Sequence, residues 1–399
     1  MSENFKGSFT QQEQIPEEAI KAALNVLRHG RLHRYNVEEG EAGETALLEE
    51  EFAASVGAKY CLAVASGGYA MATAMRAVGV NPGDMVLSNA FTLAPVPGAI
   101  ASLGAVPVLV EVTNSLTIDL LDLERKINET GATCLLLSHM RGHICDMDRL
   151  MAICTSAGVT VIEDCAHTMG ARWRGTPSGR HGVVGCYSTQ TYKHLNSGEG
   201  GLLVSDDAEI MARATILSGS YMLFDRHRAA PPAEVFERIK YDTPNISGRM
   251  DNLRAAILRP QLRNLQKQCD AWNARYVTCE GGLKNTPGLA IIERPESAKY
   301  VGSSIQFLLS GWSPENIAEV IQRCADRGVE LKWFGATEPV GFTSKYDSWR
   351  YFDSDPMPQT EAVMAGLMDM RIPLTFSLED CEQIARIIRA EVGAVFQNS

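Results

Sequence analysis

Short apolar runs alternate along most of the chain with stretches whose apolar residues recur at helical spacing. Brief runs that are rich in aliphatic side chains are typical of buried strands. They lie at 60–65, 85–88, 106–112, 134–138, 160–163, 184–187 and 202–204. Helical periodicity is found between them, at 69–78, 94–103, 120–127 and 148–157. This alternation predicts an α/β fold in which right-handed crossovers build a mainly parallel sheet with helices on both faces.

Outside this region the pattern predicts a terminal helix and a second unit. Residues 15–29 predict an amphipathic helix, with Ile20, Ala23, Leu24 and Leu27 at helical spacing and Gly30 at its end. Residues 250–276 also have helical character, and we interpret them as the bridge to a smaller domain. This stretch contains Pro260. Because proline lacks an N–H group and clashes with the preceding turn, Pro260 should kink or interrupt the helix.

The chain is therefore divided into two predicted domains. Residues 1–260 would hold an N-terminal segment and a large α/β domain, and residues 261–399 a small C-terminal α/β domain. The small domain is predicted to contain a strand at 304–309, a helix at 314–327, a strand at 329–333 and a final helix at 378–395.

Composition narrows the class of protein. The chain is 45% apolar and 21% charged, with a formal net charge of −11, which argues against nucleic acid or an anionic membrane as a partner. No apolar run approaches the roughly 20 residues of a membrane span, and the first residues lack the basic-then-apolar order of a signal peptide. The ten cysteines include no C-x-x-C pair. We expect buried reduced thiols, a cytoplasmic location and no metal site.

An acid at the end of one strand and a lysine after another indicate the chemistry. Asp164 follows the apolar run at 160–163, and Lys193 comes some 30 residues later, shortly after Ser188. Pyridoxal phosphate enzymes need a lysine amine that condenses with the cofactor aldehyde and a carboxylate that keeps the pyridine nitrogen protonated. Glu163 competes with Asp164 for the second role, although strand alternation directs it to the opposite face. Capping of the next helix is a further role open to Asp164.

A glycine pair supplies a candidate phosphate site. Gly67 and Gly68 follow Ser66 between a predicted strand and a predicted helix, where unpaired N–H groups favour an anion. A tight turn would account for the pair equally well. Neither a dinucleotide-binding glycine motif nor a P-loop occurs. Because ligands bind at the carboxyl ends of parallel strands, we expect Ser66, Asp164 and Ser188 to lie near one another.

These residues belong to an ordered set of motifs through which the chain resembles the DegT/StrS family of sugar aminotransferases, in the fold-type I class of pyridoxal-phosphate enzymes. The resemblance begins at about residue 16. In chain order the motifs are EEEFAASVG at 49–57, SGG at 66–68, NPGD at 81–84, FTLA at 91–94, GAVP at 104–107, His139 with Gly142, DCAH at 164–167, STQTYK at 188–193, GEGG at 198–201, RMD at 249–251 and IPL at 372–374.

The resemblance implies a role for each matching residue. Lys193 would bond to the cofactor and move the substrate proton, Asp164 would pair with the pyridine nitrogen, and His167 would contact the ring. Ser188 and the amides of Gly67 and Gly68 would hold the phosphate. Ser247 would reach the phosphate of a neighbouring subunit, which implies a homodimer. The amino donor is expected to be L-glutamate or L-glutamine, used in a ping-pong reaction with a keto-sugar or another small carbonyl compound.

Three departures from the family pattern bear on specificity. Leu93 stands where an aromatic residue often stacks on the cofactor, so His167 or Phe91 would take that face. Ser247 replaces an asparagine, and Gly68 replaces a threonine. Substrate specificity is expected from residues 32–44, 221–241 and 332–352. The second segment carries Arg226, His227 and Arg228, which would either meet an anionic substrate or form a charged surface.

Two other functions are compatible with the same fold. A sugar dehydratase that uses the aminated cofactor carries histidine in place of the cofactor-bonding lysine, and Lys193 argues against it. A cofactor-binding regulator without turnover would need a broken lysine–aspartate pair or a DNA-binding appendage, and the chain has neither.

Overall fold

The computed structural model describes residues 4–38, 40–340 and 344–397. Its largest sheet has seven strands in the order β1-β9-β8-β5-β4-β2-β3. They are β1 Tyr60–Val64, β2 Met85–Asn89, β3 Val106–Val110, β4 Cys134–Ser138, β5 Thr160–Asp164, β8 Val184–Ser188 and β9 Gly201–Ser205. Every neighbouring pair is parallel except the two pairs that involve β9. The predicted mainly parallel α/β fold is thereby confirmed.

The remaining strands of the described residues form two smaller sheets. One has the order β10-β12-β14-β13 and the other the order β11-β6-β7. Their strands are β6 Arg172–Trp173, β7 Thr176–Pro177, β10 Ala290–Ile291, β11 Ala298–Lys299, β12 Ser304–Leu308, β13 Lys332–Trp333 and β14 Leu367–Arg371. The two-residue strands were not predicted, and the predicted strand at 329–333 is reduced to β13, because such short pairings leave no periodic signal.

The helices cover both faces of the large sheet and one face of the small one. They are α1 Glu17–His29, α2 Glu44–Val56, α3 Gly67–Ala77, α4 Pro95–Ala101, α5 Leu120–Thr130, α6 Met147–Ser156, α7 Ala208–Ser218, α8 Ala233–Ile239, α9 Asn252–Arg263, α10 Leu265–Leu283, α11 Pro314–Asp326, α12 Pro358–Ala365 and α13 Leu378–Phe396. Helices α3, α4 and α7 share one apolar cluster with the large sheet, and α2, α5, α6 and α9 lie on its other face. Among the described residues, no helix is both long and apolar enough to cross a membrane.

Helix α1 forms where it was predicted but presents a different side to the protein. Ala19 and Val26 are buried, whereas Ile20, Leu24 and Leu27 are 38%, 43% and 54% exposed. The small side chain of Ala19 allows α1 to lie close against α9. The larger apolar side chains of the helix are therefore partly exposed in this chain.

The predicted interruption near Pro260 is displaced along the chain. Helix α9 continues through Pro260 and ends at Arg263, and α10 starts at Leu265. The side-chain amide of Asn264 donates a hydrogen bond to the carbonyl of Pro260 at 3.2 Å, which satisfies a carbonyl that the helix end would otherwise leave unpaired.

The proposed division at residue 260 stays a prediction. Helix α10 contributes Cys269 to a cluster with the large sheet and Leu283 to the cluster of the small sheet. Phe5 and Phe9 also lie in the small-sheet cluster, so the N-terminal segment packs on residues from the C-terminal part of the chain.

Candidate active site

A cavity of about 390 Å³ opens at the carboxyl edge of the large sheet. Strands β1, β5 and β8 all point to this edge, as expected for a site in a mainly parallel sheet. The cavity is lined by these predicted site residues: Gly67, Gly68, Leu93, Asp164, His167, Ser188 and Lys193. Ser247 does not line it. That residue is exposed, and its φ of 52° is left-handed.

Asp164 ends β5 and is held from two sides. The hydroxyl of Ser138, at the end of β4, donates to one carboxylate oxygen at 2.9 Å, and the amide of Ala166 donates to the other at 3.1 Å. The hydroxyl of Thr92 donates to Ser138 at 2.8 Å. The orientation of Asp164 toward the cavity is thus set by a chain of hydrogen bonds, in which Ser138 had not been predicted to take part.

Glu163 points to the other face of β5, as the pleat requires. It is fully buried and accepts backbone hydrogen bonds from Gly179, His181 and Gly182 at 2.7–2.9 Å, and one from His139 at 3.0 Å. Burial alone would raise the pKa of Glu163, but these hydrogen bonds hold it below its usual value. Although Cys165 and His139 also lie near enough to form a metal site with Glu163, its oxygens are already occupied.

Lys193 lies beside His167 in a loop that folds back on itself. The Lys193 amine is 2.9 Å from Nε2 of His167, and the backbone N–H of Arg141 donates to Nδ1 of the same ring at 3.4 Å. Burial, together with the charges of Arg141 and Arg371, lowers the pKa of Lys193 to about 8 despite the opposing effect of Asp164. Burial and the charge of Lys193 also lower the pKa of His167 well below its usual value, so the imidazole is neutral at pH 7.

The amino end of α3 meets Ser188 at the cavity wall. Ser66 caps the helix by accepting the N–H of Tyr69 at 3.1 Å. A Cβ on Gly67 would lie 2.9 Å from Cβ of Ser188, so the backbone and the serine approach as closely as a glycine allows. A Cβ on Gly68 would meet nothing nearer than 3.9 Å. The first-turn amides and a hydroxyl therefore converge on one side of the cavity, an arrangement suited to a phosphate.

Of the two residues considered as substitutes for an aromatic at position 93, only His167 lines the cavity. Phe91 is fully buried and packs edge-on against Phe334, with ring centroids 5.0 Å apart. The suggestion that Phe91 covers the cofactor is wrong, because it faces the packed interior.

A smaller cavity of about 70 Å³ lies on the other side of Lys193. Arg141, His194 and Arg371 line it together with the segment 11–16. The imidazole of His194 points away from the large cavity and lies 3.1 Å from the hydroxyl of Ser303. Sequence reasoning missed both arginines, although they adjoin quoted motifs: Arg141 stands between His139 and Gly142, and Arg371 precedes the IPL motif.

Arg226, His227 and Arg228, which the sequence analysis singled out in the segment 221–241, have partners within the chain. Arg226 donates to the carbonyl of Tyr35 at 2.6 Å, and Arg228 forms an ion pair with Glu50 at 2.7 Å. His227 is buried, with its Nε2 2.8 Å from the Tyr35 hydroxyl. None of the three lines either cavity beside Lys193. Arg226 and Arg228 are exposed and form part of a charged surface, whereas His227 is buried.

The chain is similar to known proteins along most of its length. The model of the DegT/DnrJ/EryC1/StrS aminotransferase family matches residues 13–389. The chain is 32% identical to L-glutamine:scyllo-inosose aminotransferase of Streptomyces griseus, over 65% of this chain and 60% of that protein. It is 32% identical to the erythromycin biosynthesis sensory transduction protein EryC1 of Saccharopolyspora erythraea, over 87% of this chain and 90% of that protein. Across the first two curated relatives the matched stretch spans 40% and 60% of their length.

A solved structure extends the comparison to the fold. The crystal structure of 3-amino-5-hydroxybenzoic acid synthase superposes with a TM-score of 0.82, covering 99% of this chain and all of that one, at 24% identity. At this level of identity the superposition establishes a shared α/β fold. The family match goes further: the chain belongs to the DegT/DnrJ/EryC1/StrS aminotransferase family, which confirms the resemblance drawn from its motifs.

Proposed function

We propose that the protein is a pyridoxal 5′-phosphate-dependent aminotransferase that transfers an amino group from an amino-acid donor to a small carbonyl acceptor. The observation that carries the proposal is the convergence of Lys193, Asp164 and the glycine end of α3 on one cavity. Family membership supports it independently.

The residues of the cavity fit this cofactor. The volume of about 390 Å³ suits a small organic molecule. Gly67 lies close to Ser188, so backbone amides and a hydroxyl are available to bind a phosphate. The Asp164 carboxylate, at the end of β5, is available to the ring nitrogen. The neutral ring of His167 is suited to lie against a planar aromatic cofactor.

When bound, pyridoxal phosphate supplies an electron-accepting ring. Lys193 would hold its aldehyde and then carry the proton to and from the substrate carbon, for which a pKa of about 8 is favourable. Asp164, oriented by Ser138, would keep the ring nitrogen protonated. Gly67, Gly68 and Ser188 would anchor the phosphate.

The expected donors are L-glutamate and L-glutamine, and the expected acceptors are keto-sugars, cyclitols or other small carbonyl compounds. The name of the Streptomyces griseus relative supports a glutamine donor and an inosose acceptor. We also propose a cytoplasmic location, which is supported by ten buried cysteines that are all free thiols.

The dehydratase and regulator hypotheses have weaker support. A dehydratase of this fold would lack the lysine, whereas Lys193 is positioned on the cavity and His194 is turned toward Ser303. A regulator without turnover would need a broken lysine–aspartate pair, whereas Lys193 and Asp164 both line the cavity.

An absorption experiment tests the function. Purified protein with pyridoxal phosphate should show a visible band that L-glutamine or L-glutamate bleaches, and carbonyl acceptors should restore it. Lys193→Ala should abolish both the band and turnover, while the surface variant Lys59→Ala should retain them. A fully active Lys193→Ala protein would refute the mechanism.

We further propose a homodimer in which Ser247 serves the partner's cavity. The part of the chain that precedes Ser247 in sequence exposes several large apolar side chains that a second subunit could cover: Tyr221 (58%), Met222 (52%), Tyr241 (82%) and Ile246 (42%). The left-handed backbone at Ser247 costs about 1–3 kcal/mol, which is typical of functional positions.

Mixed dimers test this sharing of the site. Ser247→Asp should weaken cofactor binding by repelling the phosphate, and Lys193→Ala should be inactive. If Ser247 serves the partner, coexpressed chains carrying one change each should regain donor-dependent bleaching, because each mixed dimer then holds one intact site. No recovery, or a solution mass equal to one 43.5 kDa chain, would contradict the proposal.

A further inference from the structure

The Lys193 amine and Nε2 of His167 lie 2.9 Å apart. A hydrogen bond has one donor and one acceptor, so two arrangements are open to this pair. Either a charged Lys193 donates to an Nε2 that carries no proton, or an Nε2–H group donates to the lone pair of an uncharged amine. The first arrangement favours the ammonium form of Lys193, and the second favours the free amine. The position of the proton on the imidazole ring therefore decides between them.

The other ring nitrogen of His167 shows where this proton lies. Nδ1 accepts a hydrogen bond from the backbone N–H of Arg141 at 3.4 Å, and a ring nitrogen can accept only if it carries no proton of its own. Burial and the charge of Lys193 lower the pKa of His167 well below its usual value, so the ring holds a single proton at pH 7. With Nδ1 unprotonated, that proton is on Nε2. The imidazole thus presents an N–H donor to the Lys193 amine.

The backbone that donates to His167 is held in an unusual conformation. Arg141 has a φ of 54° and a ψ of 24°, in the left-handed region. Its side chain pairs with Asp369 of β14 at 2.7 Å, and Arg294 donates to the carbonyls of Gly142 at 2.8 Å and Arg141 at 3.4 Å. Gly142 has a φ of 78°, and a Cβ on it would lie 3.2 Å from the His167 carbonyl oxygen. Strain that the surroundings enforce in this way is typical of functional positions.

The charged groups around Lys193 act in the same direction. Burial and the positive charges of Arg141 and Arg371 lower the pKa of Lys193 to about 8, against the opposing effect of Asp164. The neighbouring His194 adds no charge at pH 7, because burial lowers its pKa to about 3. An N–H donor strengthens the preference for the free amine, because an ammonium group has no lone pair with which to accept a hydrogen bond.

We propose that His167 donates a hydrogen bond from Nε2 to the Lys193 amine and so keeps that amine uncharged, and that the backbone N–H of Arg141 positions the His167 proton for this task. The inference rests on the proposed function, in which Lys193 is the reacting amine, and it gives His167 a role beyond contact with the cofactor ring. The uncharged amine is the form that attacks an aldehyde and the form that accepts a proton from a substrate carbon. His167 therefore maintains the reactive form of Lys193.

The pH dependence of Lys193 acetylation in the cofactor-free protein tests the proposal. Acetic anhydride reacts with uncharged amines, and peptide mass spectrometry measures the acetylated fraction at Lys193. The midpoint of the rate profile should lie near the Lys193 pKa of about 8. His167→Phe keeps a planar ring but removes the N–H donor, so the midpoint should rise by about one pH unit. His194→Phe, at an imidazole that faces Ser303 instead, serves as the control and should leave the midpoint unchanged.

The direction of the shift distinguishes the two arrangements of the hydrogen bond. If a charged Lys193 donated to His167, loss of the imidazole would lower the midpoint, so a lowered or unchanged midpoint in His167→Phe would overturn the proposal. Should this variant fail to fold, ¹⁵N NMR of histidine-labelled protein gives the same decision, with the His167 signals assigned by their loss in His167→Gln. Nδ1 should show the chemical shift of an unprotonated nitrogen and Nε2 that of an N–H group, and the reverse pattern would refute the inference.

These outcomes are separable from that of the proposed function, because neither measurement uses a cofactor or a donor. A raised midpoint in His167→Phe, with no visible band when pyridoxal phosphate is added to the unmodified protein, would uphold the hydrogen bond and refute the aminotransferase chemistry. A lowered midpoint in a protein whose band L-glutamine bleaches would overturn the hydrogen bond alone.

Discussion

Glu163 and Asp164 are neighbours in the chain with opposite surroundings. The pleat turns Glu163 into a nest of N–H donors and turns Asp164 toward the cavity, where Ser138 and the Ala166 amide leave part of its carboxylate accessible. The same chemical group is consequently structural at one position and available for the cofactor at the next.

Exchanging each acid for its amide should separate these roles. Asp164→Asn should keep the fold and the cofactor but lower kcat by about tenfold or more, since the ring nitrogen loses its anionic partner. Glu163→Gln should lower the free energy of unfolding by about 1.5–3 kcal/mol through weakened charge-assisted hydrogen bonds, with kcat little changed. Urea unfolding and the rate of donor-dependent bleaching measure the two effects. An unaltered kcat in Asp164→Asn would assign the ring nitrogen to another residue.

The charge state of Lys193 should govern cofactor capture. Only the uncharged amine attacks an aldehyde, and the pKa of Lys193 is about 8. Below that pH the rate of band formation in cofactor-free protein should fall, by about tenfold per pH unit. Arg371 lowers this pKa, so Arg371→Gln should move the midpoint of the rate profile to higher pH. Arg323→Gln on α11, which removes an arginine paired with Glu391 outside the site, serves as the control and should leave the midpoint unchanged. An unchanged midpoint in Arg371→Gln would show that Arg371 does not influence the pKa of the Lys193 amine.

Among the elements, α3 depends most on the absence of side chains at its start. A methyl group on Gly67 would lie 2.9 Å from the Cβ of Ser188, whereas one on Gly68 would make only ordinary contacts, the nearest at 3.9 Å. The start of α3 can therefore lie this close to the end of β8 only because residue 67 has no side chain.

This difference predicts contrasting effects of two alanine substitutions. Gly67→Ala should force Ser188 away from α3. Because the Gly67 amide and the Ser188 hydroxyl would then move apart, pyridoxal phosphate binding should weaken about tenfold or more. Gly68→Ala should be tolerated, and replacing a helical glycine should add about 0.5–1 kcal/mol to the free energy of unfolding. Cofactor titration and thermal unfolding distinguish them, and equal cofactor affinity in the two variants would contradict the assigned phosphate site.

At the scale of the whole molecule, the N-terminal segment connects the two main sheets. Phe5 and Phe9 pack edge-on against Phe376 in the small-sheet core, at centroid distances of 5.0 and 4.9 Å. The chain then passes the small cavity beside Lys193 and enters α1, which lies on α9. The N-terminal segment thus packs in the small-sheet core, then lines the small cavity beside Lys193, and finally reaches the helices on the large sheet.

Loss of this anchor should affect stability first and the site second. Phe9→Ala removes a buried ring and should lower the free energy of unfolding by about 3–5 kcal/mol. It should also raise the donor KM, since residues 11–16 line the small cavity. The exposed neighbour Thr10→Ala serves as the control in urea unfolding. A stability loss well under 1 kcal/mol for Phe9→Ala would show that the segment is not anchored there.

The sequence by itself determined the large sheet and the residues grouped at its edge. Strand-length apolar runs specify buried strands, and the carboxyl ends of parallel strands must meet, so Asp164, Ser188 and the Gly67–Gly68 pair could be brought together from order alone. Ser138 could have been found by the same rule, because its strand had been predicted.

Only the tertiary structure decided the features that depend on contacts between distant segments. The buried side of α1, the helix break at Asn264 and the engagement of Arg226 and His227 with Tyr35 follow from packing that leaves no periodic trace. The clearest case is Arg141 with Arg371. Their proximity is created when the small sheet is placed over the large one, since charges far apart in sequence influence each other only through the distance that the fold sets between them.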